Sequence, residues 1–176
     1  METEYAVVVI KPDAVRDCLE LILLKEIREG AGVDVAFQKY WPFSAWQVDL
    51  IYPEWLQRPE FPAMKRNLTM GPSLFAVVCG KPGAYARLKA VKGKMNAGGL
   101  RLKYRTRSIE EWKLLGLSGE ALRDKVAENR LHTSDGPDDT ALLCSLAMRP
   151  QEIEEADVRF PSLARAIRRR MSLQRL

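Results

Sequence analysis

His132 is the only histidine in the chain, and it lies in a polar stretch, Glu128-Asn-Arg-Leu-His-Thr-Ser-Asp135. An imidazole that is neutral and nucleophilic near pH 7 can take up a group covalently. On spacing alone, an incidental polar histidine is the commoner reading. Lys11 directly follows the apolar run Tyr5–Ile10. The end of a buried strand is a frequent place for a site residue, and equally a place for a solvated charge. Lys89, Lys92, Lys94, Arg101, Lys103, Arg105 and Arg107 form a basic cluster. Such a cluster can hold a phosphate chain through charge-assisted hydrogen bonds, or it can be a solvated surface. There is no Walker-A sequence, no G-x-G-x-x-G fingerprint and no H-R-D or D-F-G pair, so the common nucleotide-binding loops are excluded.

The elements that must position these residues are legible in outline. Tyr5–Ile10 reads as a buried strand, and Asp13 can cap the helix that follows, with Leu19, Ile22, Leu23 and Ile27 at helical spacing until Gly30 and Gly32. Val33–Tyr40 alternates as a strand. Ser44 with Gln47 is a capping-box signature for a helix reaching about Tyr52. Prolines 53, 59 and 62 lead to a short helix near Ala63–Thr69, and Gly71-Pro72 turns the chain into a second buried strand, Ser73–Cys79. Pro82–Val91 reads as helix and Lys92–Thr106 as a basic loop. Ser108 with Glu111 opens a helix interrupted at Gly116, and a second piece runs Gly119–Glu128. Asn129–His132 is a short strand, and Pro137 with Asp138 and Asp139 suits a helix N-terminus. Alternating strands and helices predict an α/β or α+β architecture, with no internal repeat.

Composition bounds the class. The 176 residues are 47% hydrophobic and 29% charged, as in an ordinary globular domain. The apolar runs are too short to span a bilayer, and the acidic start (Glu2, Glu4) does not resemble a signal peptide. Cys18, Cys79 and Cys144 are odd in number and widely spaced, which predicts free thiols in a reducing, cytoplasmic setting. The net charge of +5 belongs to the end of the chain. Six arginines and no acids fall between Val158 and Leu176, and without those arginines 22 basic residues face 23 acids. Leu163, Ile167 and Met171 share one helical face there. The tail is expected either to pack on another subunit or to offer a basic surface to nucleic acid, an acidic partner or a membrane.

Three motifs in order carry a family resemblance: Ile10-Lys-Pro-Asp-Ala-Val15; Tyr52 through Arg58-Pro59 to Gly71-Pro72; and Asn129-x-x-His132-x-Ser134-Asp135. Over about residues 5–148 the chain resembles the nucleoside diphosphate kinases. That resemblance implies a ferredoxin-like four-stranded antiparallel sheet covered by helices (an α+β sandwich), and a homo-oligomer. It implies ping-pong transfer of a γ-phosphoryl group between nucleoside triphosphates and diphosphates, with ATP as donor and Mg²⁺ on the phosphates. His132 would be the nucleophile, Lys11 would bind phosphate and sugar hydroxyl, Asn129 would contact the sugar, and Tyr52 would orient Lys11 or the histidine. Lys89 (or Arg87) and Arg101 (or Arg105) would hold phosphate.

The departures from the family pattern are specific. Glu60 stands where a phenylalanine usually stacks on the base, beside Met64 at the pocket's apolar wall. Met95 replaces a phosphate-contacting threonine, Thr133 replaces a glycine beside the histidine, and Leu143 replaces a glutamate that hydrogen-bonds the imidazole. Asp138 and Asp139, each one turn away, are the candidates to substitute for it. The resemblance divides the chain into a domain over residues 1–148, with a helical insertion at about 108–128, and a basic extension over 149–176. A catalytically impaired member serving as a nucleotide-binding scaffold or sensor is the alternative reading.

Overall fold

In the computed structural model, which describes residues 3–94 and 98–173, the apolar run near the N-terminus lies at the centre of a sheet. The strands are β1 (Glu4–Ile10), β2 (Val33–Trp41), β3 (Ser73–Gly80) and β4 (Leu131–Thr133). Their order is β2-β3-β1-β4 and every neighbouring pair is antiparallel, the ferredoxin-like arrangement. β1 is continuously apolar because it has two faces to bury. Alternate side chains point to opposite faces. Val7 and Val9 enter one apolar layer, while Ala6, Val8 and Ile10 enter the other.

The layer behind Ala6, Val8 and Ile10 contains α1 (Pro12–Arg16), α2 (Glu20–Ala31), α5 (Ala84–Lys92) and α6 (Leu100–Lys103), through Ala14, Leu23, Ile27, Leu88 and Leu100. α1 starts at a proline, whose missing N–H costs nothing in a first helical turn. α2 stops at Gly32, which sits at φ +58°, a left-handed conformation that glycine adopts without strain.

The opposite layer holds α3 (Ala45–Ile51), α4 (Phe61–Thr69) and α9 (Pro137–Ala147). Ser44 and Gln47 close a capping box on α3, the Ser44 N–H donating to Gln47 Oε1 at 2.9 Å. The segment at 108–128 folds as α7 (Ile109–Leu114) and α8 (Gly119–Ala127). α8 packs along α4, and Arg66 reaches both Glu120 and Asp124 at 2.7 Å.

The tail departs from both expectations for its apolar face. It forms α10 (Pro150–Arg159) and α11 (Pro161–Leu173), and Leu163, Ala164 and Ile167 are buried in this chain's own core against α9. That face is therefore spent internally and is available neither to another subunit nor to a bilayer. Arg159, Arg165, Arg168 and Arg169 are exposed on the outer side, where Arg168 pairs with Asp157 at 2.8 Å.

Two local readings also change. The expected loop over 92–106 contains α6, and the short strand lies at Leu131–Thr133, because Arg130 takes φ +70° and breaks the ladder ahead of it. Cys144 is fully buried, Cys79 half-buried and Cys18 exposed, all three as free thiols.

Candidate active site

The antiparallel register sets the site. Val9 pairs with His132 and Ile10 with Leu131. His132 therefore shares the Val7–Val9 face, toward α3 and α9, while Leu131 turns into the opposite layer. Lys11 ends β1, and its backbone N–H donates to the Arg130 carbonyl at 2.8 Å. Lys11 and the histidine segment are thus held in register by the sheet itself.

Two groups flank the imidazole. Tyr52, the residue closing α3, brings its hydroxyl to 2.9 Å from Nδ1, with the rings edge-on at 77°. On the other side Nε2 is buried without a hydrogen-bond partner, and Asp139 Oδ2 in the first turn of α9 lies 3.9 Å from it. Burial pushes the Tyr52 hydroxyl far above its ordinary pKa, so it keeps its proton. Burial, and then the charges of Lys92, Lys11 and Arg101, hold the His132 pKa well below its usual value, so the ring is neutral at pH 7.

Those three cations make the site a receptacle for anions. Lys11 is 1% exposed, and burial, reinforced by Arg101 and Lys92 and opposed by Asp13, pulls its pKa down to about 7. Lys92 is buried too; burial and Arg101 bring it down to about 8. Arg101 donates from Nε and Nη2 to the Leu131 carbonyl at 3.1 and 2.7 Å, one residue before the histidine. Lys92 and Arg101 converge because Gly93 and Gly99 pinch the loop between them. A Cβ on Gly99 would stand 2.5 Å from Gly93 Cα, and both glycines have positive φ.

The remaining candidates are distributed as follows. The Asn129 Oδ1 and Thr133 Oγ1 atoms are buried with no hydrogen-bond partner. Ser134 Oγ accepts from the Val7 N–H at 2.8 Å and pins β4 to β1. Met64 is half-buried against the apolar layer, whereas Glu60 is exposed at the start of α4. Lys89 is exposed, and its alternative, Arg87, donates to the carbonyls of Ala31, Pro82 and Lys81. Met95 lies outside the described residues. Leu143 is fully buried in the apolar layer.

Arg130 is the member to which the sequence assigned no role, and Lys92 was marked only as one of the basic cluster. Arg130 is 2% exposed; its guanidinium reaches the Tyr104 and Asp13 carbonyls and Asp17 Oδ2, while its backbone N–H donates to Asp13 Oδ2. A charged residue inside an otherwise strand-like segment was the available signal.

A neutral, flanked imidazole facing buried cations is paralleled by the family match. The nucleoside diphosphate kinase model matches residues 4–153. The chain belongs to the nucleoside diphosphate kinase family.

Solved structures of similar fold include an NDP kinase from Pyrobaculum aerophilum (20% identity, 86% of this chain and 98% of that chain, TM-score 0.67). A halophilic nucleoside diphosphate kinase from Halobacterium salinarum in complex with CDP is 21% identical over 86% of this chain and 91% of that one, with TM-score 0.65. A transition state mimic of the Borrelia burgdorferi enzyme with vanadate and ADP is 15% identical over 85% and 89%, also at 0.65. Comparison with curated proteins gave no match. Family membership supports nucleotide phosphotransfer as the general chemistry.

Proposed function

We propose that this chain is a nucleoside diphosphate kinase that works by ping-pong transfer through phosphohistidine at His132. The observation that carries the reading is a neutral imidazole held between Tyr52 and Asp139 and facing two buried lysines, Lys11 and Lys92, and the partly buried Arg101. Because Nε2 is buried, Nδ1 is the atom that attacks. Its lone pair bonds to the γ-phosphorus while the bond to the β–γ bridging oxygen breaks, and that electron pair leaves on the nucleoside diphosphate. An oxygen of the acceptor's terminal phosphate then attacks the phosphorus, and the N–P pair returns to the ring. The Tyr52 hydroxyl, which keeps its proton, releases Nδ1 and turns to a phosphoryl oxygen as the N–P bond forms.

Lys11, Lys92 and Arg101 neutralise the phosphate oxygens, and a bound polyphosphate relieves the repulsion among them. The unpaired Asn129 Oδ1 is available to a sugar hydroxyl. Lys89, exposed one turn before Lys92, meets the outer phosphates, while Glu60 and Met64 lie at the base end. Mg²⁺ enters on the nucleotide as part of the substrate and supplies charge neutralisation there. The site's own donors are cationic, and among the described residues no group of three His, Cys, Asp or Glu is placed to hold a metal.

A homo-oligomer fits the exposed Leu21, Ile22 and Tyr40 beside the open edge strand β2. A cytoplasmic location fits the free thiols. Among the described residues no helix is long and apolar enough to cross a membrane. Initial rates with ATP and a panel of nucleoside diphosphates test the reading. Parallel double-reciprocal lines and a product triphosphate are expected. Tight nucleotide binding without any product would instead favour a scaffold or sensor.

A further inference from the structure

The imidazole of His132 has two neutral forms, and the groups around it discriminate between them. With the proton on Nε2, Nδ1 presents a lone pair to the Tyr52 hydroxyl at 2.9 Å, and the buried N–H points toward Asp139. With the proton on Nδ1, the Tyr52 oxygen accepts it, but the Nε2 lone pair then faces a carboxylate inside the protein with no donor. The second arrangement sets acceptor against acceptor at a buried Nε2 atom, where no other donor compensates.

Asp139 is fixed independently of the ring. Its Oδ2 accepts the Asp135 N–H at 3.0 Å, and the residue sits in the first turn of α9, where the helix dipole favours a carboxylate. Asp138, its neighbour, is exposed. Leu143, one turn further along, offers no polar atom.

We propose that Asp139 is a positioning residue that holds His132 in its Nε2–H form and aims the Nδ1 lone pair at the incoming phosphorus. The proposal deepens the phosphohistidine reading and rests on it for its consequence in catalysis, but not for the tautomer itself. As the N–P bond forms, the ring gains positive charge and the carboxylate draws Nε2–H into a full hydrogen bond. A shift of about 1 Å, within the reach of a side-chain rotation, closes the present 3.9 Å. A carboxylate behind an imidazole serves the same end in other nucleophilic and metal sites.

Because the chain has one histidine, its ring nitrogens give two unambiguous ¹⁵N signals in the full-length protein, without nucleotide. At pH 7.5 the wild type should show a protonated Nε2 and an unprotonated Nδ1. Asp139→Ala should move a measurable share of the proton to Nδ1 and slow labelling by ATP at least about tenfold, with nucleotide affinity unchanged. Asp139→Asn, which keeps an acceptor and the contact to Asp135, should restore the tautomer and part of the rate, showing that the loss is not one of folding. A wild-type ring protonated on Nδ1, or an Ala variant with wild-type nitrogen shifts, overturns the proposal. If the tautomer responds as expected but no variant or wild type is ever labelled, the phosphohistidine reading fails and the positioning role stands.

Discussion

The Arg130 guanidinium donates to Asp17 Oδ2 at 2.6 Å although Arg130 is only 2% exposed. With its bonds to the Asp13 and Tyr104 carbonyls, this side chain ties the strand bearing His132 to α1 and to the end of α6. Three segments that carry Lys11, Arg101 and His132 are joined at one buried charge. Arg130→Met should cost about 3 kcal/mol of stability, since it strands the fully buried Asp13 and the partly buried Asp17. Urea unfolding measures it, and a loss below about 0.5 kcal/mol would mean the clamp is not formed.

Tyr52→Phe removes the hydroxyl from Nδ1 and little else. Labelling of His132 should slow by about tenfold, the worth of one hydrogen bond of 1–1.5 kcal/mol, while nucleotide affinity stays within a factor of about two. An unchanged rate would show that the hydroxyl plays no part once substrate is bound.

Lys11 and Lys92 have pKa values of about 7 and about 8 in the folded chain, both below the ordinary lysine value. The unfolded chain therefore binds more protons between about pH 7 and 10, and the stability of the nucleotide-free protein should rise as pH climbs through that window. Lys11→Met should remove much of the rise, and saturating ADP should flatten it by keeping both lysines charged. A nucleotide-free protein whose unfolding midpoint falls steadily over the same range would contradict the placement of these lysines.

The tail is expected to behave as core. Ile167→Ala should cost about 2–4 kcal/mol, because Ile167 is fully buried. Arg165→Ala, on the exposed side of α11, should stay within about 0.5 kcal/mol of the parent. Equal effects of the two variants would place α11 off the core.

The amino-acid pattern carried the sheet and the placing of His132 further than it carried their surroundings. β1 and β3 were legible because strands buried on both faces are continuously apolar, and α3 because Ser44 and Gln47 mark its start. Lys11, Tyr52 and His132 were found by motif. Lys92 was one of many basic residues until the Gly93–Gly99 pinch turned it inward, a closure that depends on backbone approach and not on periodicity. Asp139 and Asp138 were indistinguishable until the start of α9 was fixed, which turns one toward the ring and the other to solvent. The periodicity at 163–171 gave an amphipathic helix but not the surface it covers, since an apolar face looks the same whether it packs on its own core, a second subunit or a bilayer. Glu60 is explained only as an exposed residue at the head of α4.

The central claim is that His132 carries the phosphoryl group. The folded protein should be mixed with γ-phosphate-labelled ATP and Mg²⁺, quenched before acceptor is added, and assayed for label that survives alkali and is lost in acid. The account predicts such label on His132, its release on addition of a nucleoside diphosphate, and none on His132→Asn. A folded wild type that takes up no label, or a His132→Asn variant labelled as well as the wild type, would contradict it.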